Sequence, residues 1–254
     1  MINISINGAL GRMGKTLIDV CLQDKDVNIV GLSDIKGPQK VYDNLPIVEP
    51  TLKNYISFTD VVIDFSSPEG TQQVLNLCLQ NKKPLVIGTT GHSEEQITNI
   101  KNASSFVPIV LSPNMSLGVN LIFKLVEFLT NVLKNKNYEI EIIEAHHNKK
   151  RDAPSGTAKK IMDIIKHILP ETEFVYGRSG ITGERKPNEV GVNVIRCGDI
   201  VGEHTVIYST YGERIELKHI ATSRETFAKG AVFAAKWVKD KPAGLYNMFD
   251  VLQI

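Results

Sequence analysis

The sequence predicts an α/β chain in two parts: a first half built on a parallel sheet, and a second half of α+β type on a mixed or antiparallel sheet. Three observations carry the prediction. Near-continuous Val/Ile runs alternate with helical patterns through the first half; each of these runs ends in residues suited to binding; and in the second half strand-like runs follow one another with a single clear helix between them. Apolar runs separated by helices describe strands buried on both faces of a parallel sheet, which places ligands at the strands' carboxyl ends.

Taken in order, residues 2–7 alternate in strand fashion and lead into Gly8-Ala9-Leu10-Gly11-Arg12-Met13-Gly14, then a helical pattern to about residue 22. A second strand over 27–33 ends in Asp34. Further strands at 61–65, 85–87 and 109–111 alternate with helical patterns over about 69–80 and 93–102. Their ends read Ser66-Ser67-Pro68, Gly88-Thr89-Thr90-Gly91 and Ser112-Pro113-Asn114-Met115. A helix over 120–133 closes this half. Beyond it, strands are expected at 138–145, 173–176, 190–197, 204–209 and 214–221, a helix at 158–169 and a last helix at 226–238. Short gaps such as 211–213 imply hairpins. With no long linker, the boundaries fall near 117–119 and 224: a domain over 1–117 completed by 224–254, and a second domain over 118–223.

Composition narrows the function. A formal net charge of +1 over 254 residues gives no general affinity for nucleic acid or membrane surfaces, so recognition of anions has to be local. The chain begins in a strand-like run rather than a leader pattern, and its three cysteines are few and far apart, which leads us to expect a cytoplasmic protein with buried free thiols at Cys21, Cys78 and Cys197.

The glycine loop is spaced G-x-x-G-x-x-G, one residue longer than the common dinucleotide fingerprint. Its purpose is the same: a turn without side-chain bulk, then a helix N-terminus for a pyrophosphate. Asp34, about 20 residues on, stands where a ribose-binding carboxylate belongs. The first half is therefore Rossmann-like. Asp34 favours NADH, while Arg12 and Lys36 suit a 2′-phosphate, so either NADPH or NADH is expected.

The most telling stretch is Glu144–Ala158, EAHHNKKRDAPSGTA. Unpaired N–H groups at a helix starting near Ser155-Gly156-Thr157, beside His146, His147, Lys149 and Lys150, make a site for an anion that needs protons moved. A metal would need three or four matched ligands, and only Glu144 and Asp152 are near, so none is expected. Asp152 and Pro154 shape the start of the helix, and Lys149 and Arg151 read as solvated charge. Arg178 and Arg185 punctuate a glycine-rich loop whose contacts are either structural or made to substrate or a second subunit.

This stretch resembles the signature of the 4-hydroxy-tetrahydrodipicolinate reductase (dihydrodipicolinate reductase) family. So do NGALGRMGK, VIDFSSPEGT, VIGTTGH, SPNMSLGVN, RSGITGER, IRCGDIVGEHTV and SRETFAKGA, which span nearly the whole chain. The resemblance implies NAD(P)H-dependent reduction of a cyclic dicarboxylate with loss of water, in lysine and diaminopimelate biosynthesis. It implies His146 and Lys150 for proton transfer, and Gly156 and Thr157 with His147 for a substrate carboxylate. Gly8, Ala9, Leu10, Gly11, Arg12 and Met13 would hold the pyrophosphate. Gly88, Thr89, Thr90, Ser112, Pro113, Asn114 and Met115 would orient the carboxamide. It also implies a homotetramer joined through the second domain's sheet, with hinge closure between domains. The loop after the second strand is shorter than in many members, which bears on cofactor preference. Two rival readings are another two-domain NAD(P)-dependent dehydrogenase and a non-catalytic dinucleotide sensor; a sensor has no need of proton donors.

Overall fold

The computed structural model describes residues 1–254 as two compact units, Met1–Leu117 with Arg224–Ile254, and Gly118–Ser223. In chain order the elements are β1 (Ile2–Asn7), α1 (Arg12–Gln23), β2 (Val27–Ser33), β3 (Val48–Glu49), a 3-10 turn (Ile56–Phe58), β4 (Val61–Asp64), α2 (Pro68–Asn81), β5 (Leu85–Ile87), α3 (Glu94–Ala103) and β6 (Pro108–Leu111). The second unit follows with α4 (Leu117–Leu133), β7 (Glu139–His146), α5 (Gly156–Ile168), β8 (Glu173–Tyr176), β9 (Glu189–Arg196), β10 (Gly202–Thr210) and β11 (Glu213–Ala221). The chain then returns to the first unit through α6 (Glu225–Val238), β12 (Gly244–Tyr246) and α7 (Met248–Leu252).

The first unit's seven strands run in the order β12-β6-β5-β4-β1-β2-β3, and every pairing is parallel. All residues of β4 and β5 are buried, as a sheet covered on both faces requires. One core cluster joins β1 to α1 and α6 through Ile4, Ile6, Leu17, Ile18, Ala231 and Ala235; the other joins β4 and β5 to α2 and α3 through Val62, Leu85, Leu75, Cys78 and Ile100. Helix starts follow the local sequence. Ser67 caps α2 by accepting from Gly70 N–H with Pro68 at the first position, and Ser93 with Gln96 forms a capping box on α3. Strand order reverses on either side of the adjacent β1 and β4, so the crevice of this unit opens at their carboxyl ends.

The second unit is a five-stranded sheet ordered β11-β10-β7-β9-β8. It is mixed: β10 is antiparallel to β7 and β11, whereas β9 is parallel to both β7 and β8. The β10–β11 turn is the two residues Tyr211 and Gly212, the glycine at φ +89°. Tyr208, fully buried on β10, shares a 2.8 Å hydrogen bond with Thr130 and so ties the sheet to α4.

Two expectations need correction. Cys197 is exposed rather than buried, because β9 ends at Arg196 and the chain turns outward; Cys21 and Cys78 are buried. Burial raises the Cys21 thiol to about 12, so it stays protonated. The strands expected over 138–145 and 190–197 are each shifted by one residue at both ends, to Glu139–His146 and Glu189–Arg196. No helix is long and apolar enough to cross a membrane.

Candidate active site

In the first unit the glycine loop does what its spacing asks. Gly8 adopts φ +84°, and a Cβ there would overlap the Phe65 carbonyl; a Cβ on Gly14 would overlap the Gly8 carbonyl. These two glycines let β1, β4 and α1 approach closely. Gly11 is the N-cap of α1 with no side chain to satisfy the first turn, which leaves the helix start to a ligand. Asp34 holds the loop from below, one carboxylate oxygen accepting from Leu10 N–H (3.1 Å) and the other from Lys36 N–H (3.1 Å). Arg12 is exposed beside this turn.

An open cleft of about 600 Å³ lies along these strand ends, walled by Gly11, Arg12, Met13, Gly88, Thr89, Thr90, Pro113, Asn114 and Met115. Ser66, from one of the strand ends noted in the sequence, completes it together with Phe65 and Phe227, which the sequence did not single out. Gly88 is a glycine because a Cβ would overlap the Phe65 ring. Gly8, Ala9, Leu10, Asp34 and Ser112 do not line this cleft themselves. Ser112, for example, turns its hydroxyl onto the Asn114 carbonyl at 2.8 Å. A cleft with a glycine floor and an uncapped helix start fits a dinucleotide.

Behind that wall is a fully buried carboxylate. Asp64 accepts from Asn7 Nδ2 (2.7 Å), Ser66 Oγ (2.5 Å), Thr71 Oγ1 (2.5 Å) and Thr89 Oγ1 (2.7 Å). Asn7 in turn accepts from Ser33 Oγ at 2.8 Å. The ends of β1, β2 and β4 and the turn after β5 are thereby tied together. The Thr89 hydroxyl is committed to this network, accepting as well from Ser66 N–H at 2.9 Å.

In the second unit Glu144, His146, Arg196 and His204 share one face of the sheet. Glu144 and His146 alternate on β7; the pairings His204 with Glu144 and Arg196 with His146 bring in β10 and β9. Glu144 is fully buried. Its Oε2 accepts from His146 Nδ1 (2.6 Å) and Arg196 NH1 (2.8 Å), and its Oε1 from Arg196 NH2 (2.9 Å) and Ser155 N–H (2.9 Å). Ser155, rather than Asp152, caps α5 by accepting from Ala158 N–H, and its hydroxyl also pairs with His204 Nε2 at 3.0 Å. Gly156 and Thr157 open the helix; Gly156 is exposed, with no protein atom near where a Cβ would lie. Lys150 pairs with Asp152 at 2.9 Å, and His147 is half-buried one residue past β7.

The electrostatics follow. Burial would raise the Glu144 carboxyl, but hydrogen bonds from Arg196, His146 and Ser155 outweigh it and hold the group ionised, below its ordinary value. Burial lowers the His146 imidazolium; Glu144 opposes that, Lys150 and Arg196 reinforce it, and the balance is downward. His204 is driven down to about 3, first by burial and then by the field of His146, and is neutral at every working pH.

Arg178 and Arg185 are both bonded within their own unit: Arg178 forks onto both oxygens of Glu141, and Arg185 donates to the Glu189 carbonyl. Lys149 and Arg151 are exposed and unpaired, as solvated charge should be.

Family models described as dihydrodipicolinate reductase, N-terminus and C-terminus, match residues 2–115 and 118–252. The chain belongs to the dihydrodipicolinate reductase family. The 4-hydroxy-tetrahydrodipicolinate reductase of Aquifex aeolicus (strain VF5) is 48% identical, with 99% of this chain and 98% of that relative covered. Its namesake in Methanocaldococcus jannaschii is 42% identical, with 99% and 97% covered. Among solved structures, the dipicolinate-bound dihydrodipicolinate reductase from Paenisporosarcina sp. TG-14 superposes with a TM-score of 0.81 at 24% identity, covering 98% of each chain. C. glutamicum DAP dehydrogenase, at 13% identity and a TM-score of 0.58 over 98% of this chain and 93% of its own, shares only the fold. The reductase family's two models meet where the first compact unit gives way to the second.

Proposed function

We infer that this chain is an NAD(P)H-dependent 4-hydroxy-tetrahydrodipicolinate reductase of lysine and diaminopimelate biosynthesis, acting in the cytoplasm as a homotetramer assembled through the second unit's sheet. The bound nicotinamide supplies a hydride to the substrate ring; with one proton added and the 4-hydroxyl lost as water, the product is tetrahydrodipicolinate. Residues 1–117 with 224–254 bind the dinucleotide: the Gly8–Met13 loop takes the pyrophosphate, Asp34 the ribose, and the 88–90 and 112–115 turns the carboxamide. Residues 118–223 bind substrate. The N–H groups of Gly156 and Thr157 hold one carboxylate at the α5 start, with His147 orienting it. His146 and Lys150 are the catalytic pair, the two groups that move the proton the reduction requires.

The observation that carries this assignment of roles is the convergence, within one unit, of a carboxylate-held His146, Lys150 and an anion-ready helix start. Oxidation of NADPH or NADH, followed at 340 nm with the condensation product of pyruvate and aspartate semialdehyde, tests the activity. Lys150→Ala should lower kcat by about 100- to 10,000-fold, the usual weight of a general acid, while cofactor Kd stays within about 2-fold of wild type. No turnover by a folded, cofactor-binding wild-type sample would sink the reading.

A further inference from the structure

Glu144 is more elaborately held than a stabilising ion pair needs to be. A buried pair such as Glu144–Arg196 contributes little to net stability compared with apolar residues of the same volume. Here all four bonding positions on the carboxylate are filled, and one donor is His146 Nδ1 at 2.6 Å. Arg196 is itself fixed by the Asp152 carbonyl at 2.6 Å. Strands β7 and β9 and the start of α5 thus meet on two oxygens.

The consequence falls on the ring. With Nδ1–H donated to an ionised carboxylate, the neutral imidazole keeps its lone pair on Nε2, and rotation about the side chain is blocked. Nε2 points toward Gly202, where a Cβ would lie 3.1 Å away. The groups facing His146 are Glu144 on its own strand, Arg196 on β9, His204 on β10 and Lys150 from the following loop. His204 sits edge-on at 5.2 Å and is uncharged, so Glu144 is the one anion in direct contact.

We propose that Glu144, charge-balanced by Arg196, is a positioning residue for the reduction: it fixes His146 as the Nδ1–H tautomer and aims Nε2 as the atom that exchanges the proton. This deepens the assignment of His146 as a proton-transfer residue and rests on it. Arg196 offsets the charge of Glu144 and so keeps it from pulling His146 into a permanently charged state, which leaves the ring able both to accept and to release a proton.

The tautomer can be read in the wild-type protein by long-range ¹H–¹⁵N correlation of the ring nitrogens, with His146→Gln used to assign the signals. Neutral His146 should carry its proton on Nδ1; a proton on Nε2 overturns the proposal whether or not any variant folds. In Glu144→Gln, the limb of the kcat profile that reports His146 should move to lower pH, because the anion favouring the imidazolium is gone. The rate should fall by at least about 10- to 100-fold, the usual cost of losing an outer partner that orients a histidine, and cofactor KM should stay within about 2-fold. Glu144→Asp, which keeps the charge, should bring the limb back toward wild type. A Glu144→Gln profile that superimposes on wild type once corrected for folded protein would mean a purely structural role. If wild type shows no reductase turnover, the functional assignment falls, yet the tautomer still decides whether Glu144 controls the ring.

Discussion

Two buried carboxylates, one in each unit, are satisfied in opposite ways. Asp64 takes four neutral donors, Asn7, Ser66, Thr71 and Thr89, and no cation. Glu144 takes a guanidinium, an imidazole and one backbone N–H. A cage of hydroxyls and an amide holds strand ends at fixed distances and has no other charge to exchange a proton with. A cage of titratable groups passes any change in protonation to its neighbours. The difference matches the work assigned to each unit, since a dinucleotide cleft needs a rigid wall and a protonating site needs linked charges.

The largest expected effect tests the neutral cage. Asp64→Ala would strand four donors in a buried site, and the loss should be about 3–5 kcal/mol of stability, read by chemical denaturation, with weaker cofactor binding. Asp64→Asn keeps the shape, and the hydroxyls can rotate to accept, so it should cost only about 1–2 kcal/mol. A loss below 1 kcal/mol for the alanine variant would show that the strand ends are held by something else.

The next effect tests the charged cage through pH. His204 titrates at about 3 in the folded protein, far below its ordinary 6.5. Between those values the unfolded chain binds a proton that the folded chain refuses, so stability falls as pH drops below 6.5. The slope is about 1.4 kcal/mol per pH unit, or roughly 2 kcal/mol lost by pH 5. His204→Gln removes that titration, and its stability between pH 5 and 7 should be flatter than wild type by about that amount. Equal slopes would mean that His204 is not the buried neutral group of this cluster.

How much of this was legible in sequence depended on distance along the chain. The glycine loop could be read because Gly8 and Gly14 answer to contacts within one turn. Helix starts at Ser67, Ser93 and Ser155 are equally local. β3 and β12 were missed: β3 has only two residues, and β12, Gly244–Tyr246, lacks the continuous apolar run that marks the equally short β5 and pairs with β6, far back in the chain. The site divides along the same line. His146, Lys150 and Gly156 lie in one stretch and could be singled out together. Glu144 lies in it too, but its role depends on Arg196, 52 residues away and brought alongside by the register of β7 on β9. His204 drew no notice because its meaning lies in the strand opposite. An Asp ending an otherwise apolar strand, as Asp64 does in VVID, was the one local signal left unused.

The smallest effect asks whether the charged cage and the α5 start proposed to hold an anion are one device or two. Ser155 belongs to both: its backbone N–H reaches Glu144, while its hydroxyl caps α5 and pairs with His204. Ser155→Ala removes only the second set. Loss of an N-cap costs about 1 kcal/mol, and the frayed first turn should raise substrate KM several-fold, because Gly156 and Thr157 present their N–H groups from that turn. The pH limb reporting His146 should stay where it is, since the bond from Ser155 N–H to Glu144 does not involve the side chain. Ser155→Thr, which keeps a hydroxyl, should restore KM. If the limb moves in Ser155→Ala, then the hydroxyl and His204 act on His146 as well, and the charged cage extends across β10 to include the helix it stands beside.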